Sequence, residues 1–321
     1  MRAALEAAGA FVHRTLSPTP QLEWPLLSGR CGARVVVKHE NHLPTGSFKV
    51  RGGLVYMNEL RERHESVRGV ITATRGNHGQ SVAFAARRLG LSATIVVPFG
   101  NSVDKNAAMR AQGAQLVEHG RDFQDALEHA QARATRDSLH FLPNFDEALV
   151  RGVASASLEL FSAEPDLDLL YVPIGLGSGI CAAIQARDAL GLRTRIVGVV
   201  AAGAPTYALS FEAGRPVATE SVDTLADGLA VRVPNPDALA SIRAGAERIA
   251  VVSDAEIRAA IRFYFSDTHN VAEGAAGAAL AACLRERAAV EGKSVGLMLT
   301  GGNIDRVLYR AILSEEDPTC A

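Results

Sequence analysis

Short runs rich in β-branched residues alternate with longer segments rich in alanine, leucine and arginine along the chain of 321 residues. This alternation is typical of parallel sheets whose connecting helices cover both faces. The sequence therefore predicts an α/β fold. The predicted strands are 35–40, 69–74, 93–98, 115–119, 169–173, 195–200 and 294–300, and the predicted helices include 77–89, 123–136, 178–190 and 254–265.

The order of these elements predicts two lobes. Residues 68–145 contain their own succession of strands and helices, which indicates a smaller, mobile lobe. Residues 1–67 and 146–321 would then form the larger lobe. Two prolines in the segment 17–20 exclude a helix there, so we expect an extended arm that leads into the larger lobe.

Charge and hydropathy disfavour several classes of partner. The chain has 33 Lys and Arg against 35 Asp and Glu, without a basic or acidic block, and this balance predicts neither nucleic acid nor an anionic membrane as a partner. No apolar run approaches the roughly 18 residues of a membrane span. Charged residues interrupt the N-terminus, unlike a signal peptide, and the four cysteines form no C-x-x-C pair. We expect a cytoplasmic protein.

The segment 45–49 (TGSFK) follows a predicted strand and opens a predicted helix. A lysine at such a turn can point into a cleft, where desolvation lowers its pKa and prepares its amine to form a Schiff base. A lysine in the first turn of a helix is more often simply exposed. The segment alone therefore does not decide what Lys49 does.

The segment 72–79 (TATRGNHG) also leaves a strand and enters a helix. Unpaired backbone N–H groups at a helix N-terminus favour an anion, so this segment could hold a carboxylate. Asn77 could serve equally as an N-cap residue. His78 by itself is more often a structural or surface histidine than a ligand contact.

The glycine-rich segment 173–179 (PIGLGSG) follows an apolar strand and precedes an alanine-rich helix, so its backbone could surround a phosphate. A dinucleotide fingerprint is the alternative interpretation, but no acidic residue ends the strand 195–200 to hold a ribose. The segment 299–303 (LTGGN) ends the last predicted strand and suits a ligand contact or, equally, a plain turn.

In this order, the four segments resemble the β-family (fold type II) of pyridoxal-phosphate enzymes, in particular its branch of threonine/serine dehydratases and serine racemases. This threonine ammonia-lyase-like branch includes hydroxyectoine-utilisation and phenylserine dehydratase-like members. The segments 224–231 (TLADGLAV) and 273–277 (EGAAG) match it as well. The resemblance implies a tryptophan-synthase-β-like fold with two parallel-sheet lobes, pyridoxal 5′-phosphate in the cleft between them, and a homodimer.

The resemblance also implies residue roles. Lys49 would be the catalytic Schiff-base lysine, Asn77 would hydrogen-bond the phenolic oxygen of the cofactor, and Thr300 would meet its pyridine nitrogen. The other implied cofactor-binding residues are Phe48, Gly175, Leu176, Gly177, Ser178, Gly179, Gly228 and Glu273. The implied substrate-binding residues are Thr74, Arg75, Gly76, Asn77 and His78.

The implied activity is a dehydratase, or ammonia-lyase, that converts a small β-hydroxy amino acid to a 2-oxo acid and ammonia. A hydroxyl at the pyridine nitrogen leaves the ring a moderate electron sink, which favours elimination over transamination. The sequence does not choose among threonine, serine, 3-hydroxyaspartate, hydroxyectoine-derived and phenylserine-like substrates. A β-replacement enzyme of the cysteine-synthase type, a nicotinamide-dependent oxidoreductase and a non-catalytic binding protein are the alternatives.

Three departures from the branch refine these expectations. Arg75 stands where the racemases commonly carry a serine base, and because arginine stays protonated we predict no racemisation. Arg75 would instead bind a carboxylate or shape the pocket. Ala201 stands where cation-binding relatives carry a glutamate, so we predict no metal site of the family type. The end of the chain at Ala321 leaves no room for a regulatory domain, so we expect a catabolic role.

Overall fold

Two sheets with helices packed against them form the frame of the molecule. The structure is a computed structural model and describes residues 1–315. Cys320 and the chain end at Ala321, on which the expectation about a regulatory domain rests, lie outside the described residues. The α/β class predicted from the sequence is confirmed. No helix among residues 1–315 is long and apolar enough to cross a membrane.

The larger sheet has six strands, and only its first pair is antiparallel. Its strands, in spatial order, are β1 (Gln21–Glu23), β2 (Arg34–His39), β10 (Ser294–Leu299), β7 (Leu169–Pro173), β8 (Arg195–Ala201) and β9 (Ala246–Val252). Nearly all residues of the central strands are buried, as expected for strands that are covered on both faces.

The smaller sheet has four parallel strands. They are, in spatial order, β5 (Gln115–Glu118), β4 (Ser92–Val97), β3 (Gly69–Ala73) and β6 (His140–Phe141). All four lie inside the segment 68–145, and the strands of the larger sheet lie outside it. The two-lobe boundaries and the mobility of the smaller lobe stay predictions.

Fourteen α-helices connect and flank the strands within residues 1–315. They are α1 (Arg2–His13), α2 (Pro25–Cys31), α3 (Lys49–Arg63), α4 (Asn77–Arg88), α5 (Val103–Ala111), α6 (Phe123–Arg136), α7 (Glu147–Ala163), α8 (Ser178–Leu190), α9 (Thr206–Ala213), α10 (Pro236–Gly245), α11 (Asp254–Thr268), α12 (Gly274–Arg285), α13 (Arg287–Val290) and α14 (Arg306–Leu313). The local sequence explains where several helices begin. Proline occupies the first turn of α2 and of α10, and Ser253 with Glu256 forms a capping box for α11.

Each predicted strand is present, with its ends shifted by one residue at most, and the segment 17–20 is extended as expected. The strands β1, β6 and β9 were absent from the prediction. The first two are only three and two residues long. In β9 the burial does not alternate, and a register irregularity interrupts its pairing with β8. Its run 249–252 (IAVV) is nevertheless of the kind that predicts the other strands, so the sequence does contain a signal for β9.

The helices α3 and α7 approach each other closely enough for their backbones to touch. A Cβ atom added to Gly52 would lie 2.7 Å from the carbonyl oxygen of Leu149, and one added to Gly152 would lie 2.4 Å from the carbonyl oxygen of Arg51. Both distances are shorter than atoms tolerate. Glycine is therefore required on both sides of this crossing.

We predict that Gly152→Ala lowers the free energy of unfolding by about 1–3 kcal/mol, because the obstructing atoms belong to the backbone and cannot rotate away. Gly29→Ala in α2 is the matched control. A Cβ atom there meets no atom of residues 1–315 within 4 Å, so this change is neutral or stabilises the protein by up to about 1 kcal/mol. Urea unfolding measures both variants, and equal stability of the two would contradict the prediction.

Candidate active site

A cavity lies at the carboxyl ends of strands from both sheets. The chain leaves β3, β7 and β10 at this edge and enters α3, α4 and α8 beside it, which is where parallel sheets bind their ligands. Every residue predicted for the site lines the cavity: Phe48, Lys49, Thr74, Arg75, Gly76, Asn77, His78, Gly175, Leu176, Gly177, Ser178, Gly179, Gly228, Glu273 and Thr300. Their individual roles stay predictions.

Lys49 is the first residue of α3, and its side chain points into the cavity. Its Nζ lies 3.0 Å from Ser178 Oγ and 4.8 Å from the centre of the Phe48 ring. Burial lowers the pKa of Lys49 to about 8, against an opposing effect of the Glu273 carboxylate. About a tenth of Lys49 is therefore the neutral, nucleophilic amine at neutral pH, far more than for an ordinary lysine.

Two backbone segments keep this first turn of α3 in place. The Phe48 N–H donates to the Thr300 carbonyl oxygen at 3.0 Å, and Ser47 pairs with Gly301 in an isolated antiparallel bridge. On the other side, Ser81 Oγ donates to the Lys49 carbonyl oxygen at 2.7 Å. Lys49 is therefore fixed to the end of β10 and to α4 at once.

The glycine-rich segment between β7 and α8 forms a cradle for an anion. Gly177 has a φ of 103° and precedes α8 without a side-chain cap, so N–H groups of the first turn remain free to bind a ligand. A Cβ atom on Gly175 would lie 2.3 Å from the Gly228 carbonyl oxygen, and one on Gly177 would lie 2.7 Å from the Ala238 Cβ. Side chains are thus excluded at both positions, and the shape fits a phosphate group.

Thr300 follows β10 and is almost fully buried. Its Oγ1 has no hydrogen-bond partner among the described residues. Buried hydroxyls are nearly always paired, so this one requires a partner that a ligand brings. A hydroxyl can donate to a pyridine nitrogen, as the role predicted for Thr300 requires.

Asn77 belongs to a chain of hydrogen bonds along the cavity wall. Its Nδ2 donates to Glu273 Oε1 at 2.7 Å, and its Oδ1 accepts from Asn303 Nδ2 at 2.8 Å. One N–H of Asn77 remains for a ligand oxygen. Burial raises the pKa of Glu273 to about 7, although the charge of Lys105 acts in the opposite direction.

Lys105 is the main residue that the sequence interpretation missed. It lies in α5, and its Nζ donates to Asp227 Oδ2 at 2.5 Å across the cavity. Burial alone would lower the pKa of Lys105, but the charges of Asp227 and Glu273 outweigh it and raise the pKa. Nothing local distinguishes this lysine from other helical lysines, because its partner is 122 positions away in the chain.

The remaining wall is the loop between β3 and α4. Thr74 Oγ1 accepts from the Gly76 N–H at 2.9 Å and closes the loop into a turn. Burial, with a smaller effect of the Lys49 charge, lowers the pKa of His78 to about 3, so its imidazole is neutral. Within residues 1–315, neither the buried His78 Nε2 nor the buried Arg75 Nε has a hydrogen-bond partner.

A family model described as pyridoxal-phosphate dependent enzyme matches residues 12–301. The chain belongs to this family. It is 34% identical to the L-threonine ammonia-lyase of Thermotoga maritima over 95% of this chain and 75% of that protein. It is 30% identical to the L-threo-3-hydroxyaspartate ammonia-lyase of Saccharomyces cerevisiae over 96% of this chain and 95% of that protein.

A solved structure, the processed form of threonine deaminase isoform 2 from Solanum lycopersicum, has the same fold. The TM-score is 0.90 at 28% identity, over 98% of this chain and 94% of that one. The predicted fold type, cofactor and branch are therefore confirmed. The nicotinamide alternative has no support in these matches.

The residues of the cavity fit pyridoxal phosphate by their chemistry. The site offers an anion cradle without side chains, an unpaired buried hydroxyl and a lysine of lowered pKa. A metal centre has no comparable basis in residues 1–315, where no group of three His, Cys, Asp or Glu side chains could hold an ion. That the enzyme works without a metal stays a prediction.

The lowered pKa of Lys49 predicts the pH dependence of cofactor uptake. The rate at which the apoenzyme binds pyridoxal phosphate should rise with pH around a midpoint near 8, because the neutral amine is the reactive form and an ordinary lysine titrates at 10.5. Absorbance during stopped-flow mixing measures this rate.

Glu273→Gln provides a second check on the same amine. The Glu273 charge raises the pKa of Lys49, so its removal shifts the midpoint to lower pH. The exposed Glu212→Gln is the matched control and leaves the midpoint where it was. A midpoint near 10 in the unmodified protein would show that the amine is not desolvated.

Proposed function

We propose that this protein is a pyridoxal-phosphate-dependent dehydratase that converts a β-hydroxy amino acid to a 2-oxo acid and ammonia. The observation that carries the proposal is that one cavity contains both Lys49, whose pKa is lowered, and the buried hydroxyl of Thr300, which has no partner among residues 1–315. The ammonia-lyase names of its relatives support the same reaction class.

The chain's own groups divide the work. The N–H groups around Gly177 and Ser178 would hold the cofactor phosphate, and Thr300 Oγ1 would hydrogen-bond the pyridine nitrogen. When bound, the cofactor supplies the electron sink that stabilises negative charge at the substrate α carbon. The remaining N–H of Asn77, whose amide is oriented by Glu273 and Asn303, would donate to the phenolic oxygen.

Lys49 moves the proton. Its neutral amine takes the proton from the substrate α carbon, a step that a pKa of about 8 suits at neutral pH. The β-hydroxyl takes up a proton, which the protonated Lys49 amine or the cofactor phosphate would supply, and leaves as water. The enamine product is released, tautomerises to an imine and hydrolyses in solution to the 2-oxo acid and ammonia.

The β3–α4 loop binds the substrate carboxylate. N–H groups at the start of α4 and the guanidinium of Arg75, whose buried Nε lacks a partner in the described chain, together provide donors and positive charge. Racemisation needs a second base on the opposite face of the substrate. A guanidinium such as that of Arg75 is not a base, and burial lowers the pKa of His78 to about 3, so neither side chain suits this role.

The assembly and the location of the enzyme are part of the proposal. The resemblance to fold-type II dehydratases supports a homodimer, and we place the protein in the cytoplasm. Residues 68–145, which contain the four-stranded sheet, would move as the smaller lobe. Analytical ultracentrifugation of the holoenzyme tests the dimer, because a monomer at micromolar concentration would contradict it.

The decisive experiment is release of 2-oxo acid and ammonia from a panel of β-hydroxy amino acids. We expect release by the holoenzyme, and a loss of about a thousandfold or more in kcat for Lys49→Ala, because the base and nucleophile are removed. Lys293→Ala, far along the chain in the turn before β10, is the matched control. Product that forms only when a thiol is added would favour the β-replacement alternative.

Arg75→Met tests the carboxylate contact. We expect KM to rise by about ten- to a hundredfold with a smaller change in kcat, because a charge-assisted hydrogen bond to the bound substrate is lost. Arg121→Met is the control, since 92% of the Arg121 side chain is exposed. An unchanged KM together with an unchanged substrate ranking would show that Arg75 does not contact substrate.

A further inference from the structure

A second cavity, with a volume of about 330 Å³, adjoins the active site. It lies between α6 and β6 on one side and the segment 230–236 on the other. The two cavities share six lining residues, which are Arg75, Phe123, Asn144, Leu176, Ala230 and Val231. The two cavities therefore adjoin at this shared wall, and the second one forms a second chamber beside the reacting centre.

The walls of the second chamber are mainly apolar. Phe123, Leu127, Phe141 and Phe145 line it on one side, and Val233 lies on the other side next to two prolines. Side chains of this kind bind apolar groups by excluding water from them. The chamber is larger than the methyl group of threonine or the hydrogen of serine could fill.

The charges around the second chamber are nearly balanced. Arg232 and Asp122 lie 3.8 Å apart and offset each other. Arg75, at the junction of the two chambers, forms no ion pair in the described part of the chain. It belongs to the loop that receives the substrate carboxylate, and this one anion satisfies it. Among residues 1–315, the second chamber has no charged lining residue besides Arg75, Arg232 and Asp122, so it offers little positive charge to a further anionic group.

We propose that the second chamber is a subsite for the substrate side chain, and that the preferred substrate carries a bulky, uncharged, mainly apolar group on its β carbon. This inference rests on the proposed dehydratase function and narrows it. A substrate whose carboxylate binds at Arg75 has the second chamber within reach of its side chain. Burial of a ring or branched chain there strengthens binding, whereas a methyl group leaves the chamber filled with water.

The test compares kcat/KM of the holoenzyme for 3-phenylserine, 3-hydroxyleucine, threonine, serine and 3-hydroxyaspartate. We expect the two bulky substrates to exceed threonine by about tenfold or more, the range in which added apolar atoms act in a fitted pocket. Preference for threonine or serine would overturn the proposal. Preference for 3-hydroxyaspartate would overturn it as well, because it would show that the subsite accepts a charge.

Calorimetry separates this proposal from the proposed function. Phenylalanine and 2-aminobutyrate lack a β-hydroxyl and cannot lose water, so their binding reports the subsite without turnover. We expect phenylalanine to bind the holoenzyme at least about tenfold more tightly than 2-aminobutyrate does. If no substrate released a 2-oxo acid, the dehydratase would be refuted, and equal binding of these two ligands would independently refute the subsite.

A variant that fills the chamber completes the test. Leu127 lines only the second chamber, so Leu127→Trp should reduce the ratio of kcat/KM for 3-phenylserine over threonine by about tenfold. Leu26→Trp introduces the same residue at a position that is 63% exposed in α2 and should leave the ratio unchanged. An unaltered ratio in a folded Leu127→Trp protein would show that the chamber receives no part of the substrate.

Discussion

The buried ion network around Arg51 is the interaction on which the site depends. Arg51 lies two residues after Lys49, and its guanidinium binds Glu40 at 2.7 Å and Glu159 at 3.0 Å, while Lys38 binds Glu159 at 2.6 Å. Burial alone would raise the pKa of Glu159, but these contacts outweigh it and lower the pKa to about 2. Loss of one partner from such a network costs about 3–5 kcal/mol, so the first turn of α3 is held against both β2 and α7.

The electrostatics of the cavity follow from the rigidity of this frame. Lys49, Glu273 and Lys105 all lie deep in the protein, yet burial and charge neighbours shift their pKa values in different directions. Lys105 is kept charged by Asp227, whereas Lys49 has no carboxylate in hydrogen-bond contact among residues 1–315 and loses its proton more readily. Lys105 thus has a structural role and Lys49 a catalytic one, although both line the same cavity.

The sequence predicts what depends on local conformation. The glycines of 173–179 and the lysine at the start of α3 occupy strand-to-helix turns, where backbone geometry limits the residue types, and the structure brings both to one cavity. The sequence does not predict contacts that arise only when distant segments pack together. The Lys105–Asp227 contact and the chamber between α6 and the segment 230–236 join parts of the chain that are about 100 residues apart. The strand β9 is different, because its run 249–252 resembles the runs of the predicted strands and the prediction nevertheless omitted it.

The contact between Gly52 and Gly152 limits how this enzyme can diverge. The atoms that exclude a side chain at each glycine are main-chain atoms of the opposite helix, so a compensating substitution nearby cannot make room. A larger residue is accommodated only if α3 shifts as a unit, and Lys49 shifts with it. A substitution at Gly152, which is not part of the cavity wall, would then inactivate the enzyme. A genetic screen would not distinguish it from the loss of a catalytic residue.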